Sequence, residues 1–121
     1  MKYKKNDLST YSFVYLFIII CYLEEYLEID YKRFNEFIEI EFNDGKLFMN
    51  EINWHLTKLI SNEMINISDE KILINKNISP TDIMYIIKVN IKDFNNMIKI
   101  VNDYLVYDFN KNKELIKKKI M

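Results

Sequence analysis

Two periods of apolar and polar positions run along this chain, and the places where one gives way to the other mark its elements. The clearest reading begins at Ser79. Ser79 can accept a hydrogen bond from free amides of a helix start, Pro80 presets φ at the first helical position, and Asp82 puts negative charge by the positive helix end. The spacing of Ile83, Ile86 and Ile87 predicts a first helix from Pro80 to Val89-Asn90, where Asn90 can cap a second. In that second helix Ile91, Phe94, Met97, Ile98, Val101 and Leu105 recur at three- and four-residue steps. They stack on one side and leave Lys92, Asn95, Asn96, Lys99 and Asp103 largely outside. Tyr104 to Phe109 reads as strand or as the helix continuing, with a turn at Asn110-Lys111-Asn112-Lys113 before Glu114 to Ile120.

Earlier in the chain, Asn43-Asp44-Gly45 is the strongest turn signal, and the following Leu47, Phe48, Ile52, Leu56, Leu59 and Ile60 predict a helix with one apolar face. Met64 to Ser68 and Lys71 to Lys76 instead alternate apolar with polar residues around Asp69-Glu70, the pattern of a two-stranded hairpin. Thr10 to Glu28 and Tyr31 to Ile40 supply the first helices. The expected fold is mostly α with one or two short β-hairpins, as one compact domain over 1–121. Two cramped winged-helix-like units, 8–77 and 78–121, are the alternative organisation.

Over 79–119 the residues resemble a winged-helix type of helix-turn-helix domain. DIMYIIK matches the first helix of the motif, VN its turn, IKDFNNMIKIVN the recognition helix and YLVYDFNKNKELIKKK a wing. The resemblance lies in apolar spacing rather than in residue-specific signatures, and the turn lacks the glycine or small residue common there. A single bent helix or a plain helical hairpin has much the same spacing. The resemblance implies duplex DNA as the partner, approached by Asn95, Asn96 and Lys99 with Lys92 beside them.

Composition narrows the function classes. Half of the 121 residues are hydrophobic, the formal net charge is −1, and glycine and proline occur once each, so the chain forms a core and resembles no disordered linker. The abundance of Ile, Asn, Lys and Tyr has the look of AT-rich coding. Charge is uneven: Tyr11 to Ile60 is acidic, while Lys111, Lys113, Lys117, Lys118 and Lys119 crowd the last stretch against Glu114. Those lysines suit phosphates beside a recognition helix, although a basic run is also an ordinary solvated end.

The segment YSFVYLFIIICYL, Tyr11 to Leu23, invites comparison with a membrane or export signal. Its uncharged run from Leu8 to Leu23 is shorter than the ~20 residues of a spanning helix, and Glu24, Glu25 and Glu28 follow it. The lysines before it and Cys21 within it resemble a bacterial lipoprotein signal, but Ile20 stands where a small residue is expected. It is read as a core helix of a cytoplasmic protein, with an aliphatic stripe of Phe13, Leu16, Ile20, Leu23 and Leu27. A neighbouring stripe of Tyr11, Tyr15, Ile18, Tyr22 and Tyr26 is a candidate interface to a second copy or a partner protein, or else more core.

Catalytic signals are sparse. His55 beside Trp54 has no recognisable nucleophile or orienting partner, one histidine and one cysteine do not make a zinc site, and the single glycine cannot build a phosphate-cradling loop. The expectation is a non-enzyme without metal, cofactor or small-molecule substrate. It is read as a regulator of transcription or of replicon copy number that binds DNA as a dimer. A non-catalytic adaptor, of the tandem winged-helix kind that accompanies chromosome-organising ATPases and defence complexes, or an immunity-type inhibitor, is the alternative.

Overall fold

The computed structural model describes Tyr3 and residues 8–120, with side chains for Tyr3 and for 8–107. Five helices and three short strands follow one another: α1 (Thr10–Leu23), β1 (Glu28–Asp30), α2 (Tyr31–Glu41), α3 (Gly45–Ser61), β2 (Ile65–Ser68), β3 (Lys71–Ile74), α4 (Pro80–Val89) and α5 (Ile91–Ile120). The described part is thus mostly helical, with a small antiparallel sheet in the order β1-β3-β2.

Helix α1 is the axis of the molecule. Ten consecutive residues from Ser12 to Cys21 are buried, because α3, α4 and α5 all pack against it. A helix apolar on every side has no outer face to offer and is stable only when enclosed. The two stripes read from the sequence are therefore both internal over the middle of the helix, where Tyr15 and Ile18 are buried beside Phe13, Leu16 and Ile20. Its start is capped by the Ser9 hydroxyl, which accepts from the Ser12 amide at 3.1 Å.

The helix stops earlier than its pattern predicted, at Leu23 instead of Glu28. Glu25 turns into the left-handed region at φ 60°, and the amides of Glu25 and Tyr26 return to the carbonyls of Tyr22 and Cys21 at 3.0 and 2.9 Å. That pair of bonds is the helix-ending arrangement usually built on glycine. The freed residues make β1, which the sequence reading did not contain. Its Ile29 lies opposite Ile72 in β3 and both are buried.

Helix α3 ends the same way. Glu63 has φ 62°, and the amides of Glu63 and Met64 bond the carbonyls of Ile60 and Leu59 at 3.0 and 3.1 Å. Its inner face is Phe48, Met49, Ile52, Leu56 and Leu59, while Leu47 and Ile60, assigned to that face from the sequence, are exposed. The predicted hairpin is β2–β3, with Ser68 opposite Lys71 and a two-residue turn whose Asp69 and Glu70 both have positive φ. This is the mirror-image turn that matches strand twist. Gly45 serves another purpose: a Cβ there would lie 2.6 Å from the Ile38 carbonyl oxygen and from the Glu39 Cα, so α3 starts in contact with the backbone of α2.

Candidate functional site

The segment from Ser79 onward folds into two helices separated by one residue. Pro80 occupies the first turn of α4 as expected, but the Ser79 side chain makes no capping bond. Its carbonyl accepts the Ile83 amide at 3.0 Å, the first bond of the helix. The turn needs no glycine, since Asn90 lies at φ −115°, where any side chain is tolerated.

Asn90 has a different role from the one its position implied. Its side chain does not cap α5. The Nδ2 group donates back to the Ile86 carbonyl at 2.7 Å, and Oδ1 accepts from the Ser12 hydroxyl of α1 at 2.6 Å. Both residues are buried, the two polar side chains so described. A satisfied polar pair inside an apolar core is specific in geometry, because any shift leaves a donor or acceptor without water. The link fixes the α4–α5 corner against the central helix.

Helix α5 enters the core through Met97, Ile100, Val101 and Tyr104. The Tyr104 ring meets Phe17 of α1 at 5.3 Å and Phe37 of α2 at 5.4 Å. Ile91, counted among its inner residues from the sequence, is exposed. Where a wing was read, the α5 backbone continues unbroken to Ile120. Tyr104, read there as the first residue of a strand, is one of the most deeply buried side chains.

Four of the sequence-predicted contact residues come together. Lys92, Asn95, Asn96 and Lys99 are all exposed, and their spacing of three, four and seven places them on one face. The nearest acids on α5, Asp93 and Asp103, are half-buried; Asp103 accepts the Tyr3 hydroxyl. Asn102 extends the same exposed row. These exposed residues are basic or neutral, and the acid on the same face is the half-buried Asp103. Lys111, Lys113, Lys117, Lys118 and Lys119 lie outside the residues with described side chains, and only their helical backbone can be placed.

The candidate interface on α1 is not assembled into one open face. Tyr15 and Ile18 are covered by the chain's own helices, and Tyr11 is partly exposed. Tyr11 stacks on Tyr15 with ring centres 4.3 Å apart. Tyr22 lies at the far end of the helix, donating to the Lys76 carbonyl at 3.2 Å, with Tyr26 half-buried just beyond the helix end.

A different apolar surface emerges that the sequence reading passed over. Met84, Tyr85, Val89 and Ile91 are 50–67 % exposed, and a shallow cleft is lined by Met84, Tyr85, Ile87, Lys88 and Ile91. Tyr85 also borders a depression shared with Tyr11, Tyr15 and Asp82. The signal was available: residues 84, 85 and 89 lie away from the 83/86/87 side that faces the core.

The remaining reactive groups sit in ordinary surroundings. Burial pushes the Cys21 thiol well above its usual range, with Glu24 adding to the shift, so the thiol is inert packing. His55 is held below the usual imidazole value, first by partial burial and then by Lys58, with Glu51 opposing. Its ring meets Trp54 edge-on at 4.9 Å, and Lys58 lies 4.5 Å above the Trp54 ring. Among the described residues no group of His, Cys, Asp or Glu could hold a metal ion, and no helix is long and apolar enough to cross a membrane. Compared with protein-family models, curated proteins and solved structures, the chain matches none.

Proposed function

We propose that this chain is a small non-enzymatic DNA-binding protein that reads duplex with α5. The observation that carries this reading is the row Lys92, Asn95, Asn96, Lys99, exposed together on α5, with Asp103 one turn further along the same face half-buried and bonded to the Tyr3 hydroxyl. Lysines on such a row neutralise phosphates, and asparagine can pair with the N6 and N7 edge of adenine in the major groove. Support for the helix-turn-helix part of the likeness is limited to element order: α4 and α5 are consecutive helices joined at Asn90. The wing does not follow it: the β2–β3 hairpin precedes the motif, and α5 runs on through the segment where a wing was expected.

The test is fluorescence anisotropy of the purified protein with random duplex DNA at low and moderate salt. Binding should weaken steeply with salt, and Lys99→Glu should abolish it. Losing one phosphate contact lowers the slope of log K against log salt by about 0.9. Asn95→Ala should leave random-duplex binding nearly intact and act only on a selected sequence. Absence of salt-sensitive binding by a folded protein would refute the reading. The adaptor reading has one observation in its favour, the apolar surface on α4, which nucleic acid does not match.

A further inference from the structure

We propose that the depression between the start of α1, the end of α3 and the start of α4 binds a methylated ammonium ion, the head group of choline and its relatives. DNA binding through α5 is not needed for it. The walls are aromatic: Tyr11 and Tyr15 of α1 and Tyr85 of α4 border the depression, with the buried Met64 and Ile86 as further apolar lining. Tyr11 and Tyr15 stack with ring centres 4.3 Å apart. The Tyr11 hydroxyl is raised above its usual value first by burial and then by Tyr85, which reaches it from the other helix. Burial also raises the Tyr15 hydroxyl, so both rings stay neutral at pH 7. A neutral tyrosine ring has a negative face that attracts cations, and recognition of quaternary ammonium groups uses such rings.

Charge selects a cation over a neutral ring that would stack equally well. Asp82 lines the depression and has no ion-pair partner among the described residues. Two helix N-termini and one C-terminus meet here, since Tyr11 and Asp82 lie in the first turns of α1 and α4 and Asn62 caps the end of α3. Their half charges sum to about half a positive charge, which the full charge of Asp82 outweighs. Glu51, accepting the Thr10 hydroxyl at 2.7 Å, adds negative charge beside the start of α1. The cations of α3 do not compete. Lys58 lies 4.5 Å over the ring of Trp54, four residues before it, and not towards Asn62, four residues after. His55, 6.1 Å from the Tyr11 ring, is held below its usual value by burial and then by Lys58 and is uncharged at pH 7. One carboxylate does not hold a metal ion, and an unmethylated ammonium is strongly hydrated, which leaves the methylated form. The volume, about 260 Å³, is below the ~300–1,000 Å³ of sites that enclose a whole ligand, so a head group enters and its chain stays outside.

The test is proton NMR titration of the full chain with choline chloride, read on the tyrosine ring signals, against ethanolamine hydrochloride and sodium chloride at equal ionic strength. Choline should shift those signals saturably, with a dissociation constant of roughly millimolar order. Ethanolamine, the same molecule without its methyl groups, should bind at least about tenfold more weakly. Tyr85 is 60 % exposed, so exchanges there leave the fold intact: Tyr85→Phe should keep the affinity, and Tyr85→Leu, which keeps apolar area but removes the ring, should lose about fivefold or more. Asp82→Asn should weaken binding by roughly fivefold, the worth of one exposed charge about 4 Å away. Phosphatidylcholine vesicles form a second arm. Co-sedimentation of the wild type but not of Tyr85→Leu places the head group on a lipid, and choline binding without co-sedimentation places it on a soluble molecule. No saturable shift with choline, equal affinity for ethanolamine, or a Tyr85→Leu variant that binds like Tyr85→Phe overturns the proposal. Lys99→Glu should leave choline binding intact, so its failure and the failure of DNA binding are separable.

Discussion

Replacing Glu63 by glycine should stabilise this protein, because the backbone there already has the conformation glycine prefers. Glu63 sits at φ 62° just past α3, where its amide and the next close the helix end onto Ile60 and Leu59. An L side chain in that region costs about 1–2 kcal/mol through contact of Cβ with its own carbonyl. Glycine removes that cost but adds about 0.5–1 kcal/mol of chain entropy to the unfolded state. The net expectation is a gain of about 0.5–1 kcal/mol. The Glu63 side chain is exposed, and the carbonyl that accepts from Asn75 at 3.1 Å survives the change. Urea unfolding should show a higher midpoint with an unchanged slope, and Tm should rise by roughly 2–6 °C. Glu63→Ala is the control, since it removes the carboxylate but keeps Cβ and should bring no comparable gain. Equal gains from both substitutions, or none from glycine, would refute the conformational argument. Glu25→Gly at the end of α1, with φ 60°, should behave alike.

Asn90→Ala should cost about 1–3 kcal/mol, since it strands the buried Ser12 hydroxyl; Ser12→Ala should cost less after the partner is gone, a coupling that a double-mutant cycle measures. Gly45→Ala should destabilise by about 2 kcal/mol or more, because the new methyl meets backbone of α2 that cannot swing aside, and chemical denaturation reads it directly. His55 imposes a pH dependence. Its folded value lies below the ordinary 6.5, so the unfolded chain takes up the proton first, and stability should fall as pH drops below about 6.5. In His55→Gln the stability profile between pH 7 and 5 should be flatter; an unchanged profile would remove the histidine from the account.

Much of the element order was legible because strong local signals agreed with the tertiary structure. Pro80 and Asn90 bracket α4, the alternation around Asp69-Glu70 is the β2–β3 hairpin, and the three-four spacing from Ile91 is α5. The failures share a physical cause. Glycine is the usual mark of a left-handed residue, yet here Glu25, Asp44, Glu63, Asp69 and Glu70 occupy positive φ, so the end of α1 carried no visible stop. Strand β1 is three residues long, too short for a period to show, and exists through its pairing with β3. YLVYD fits both a strand's alternation and a helix's three-four spacing, and the burial of Tyr104 among Phe17, Phe34 and Phe37 decided for the helix. As for the candidate site, the sequence located the row on α5. It could not show that enclosure of α1 would cover Tyr15 and Ile18, nor that Met84 and Tyr85 would stay in water.

The central position of α1 has a consequence for synthesis. Ten successive residues of this helix need cover, and two of the helices that provide it, α4 and α5, lie roughly 60 to 70 residues further along the chain, which a ribosome adding about 5–20 residues per second takes several seconds to reach. Through that interval the most apolar stretch of the molecule is out of register with its partners. The nascent chain is then a client for any chaperone that recognises aromatic and aliphatic runs, and codon changes that slow translation between Ser61 and Ile91 should lower soluble yield without altering the finished protein.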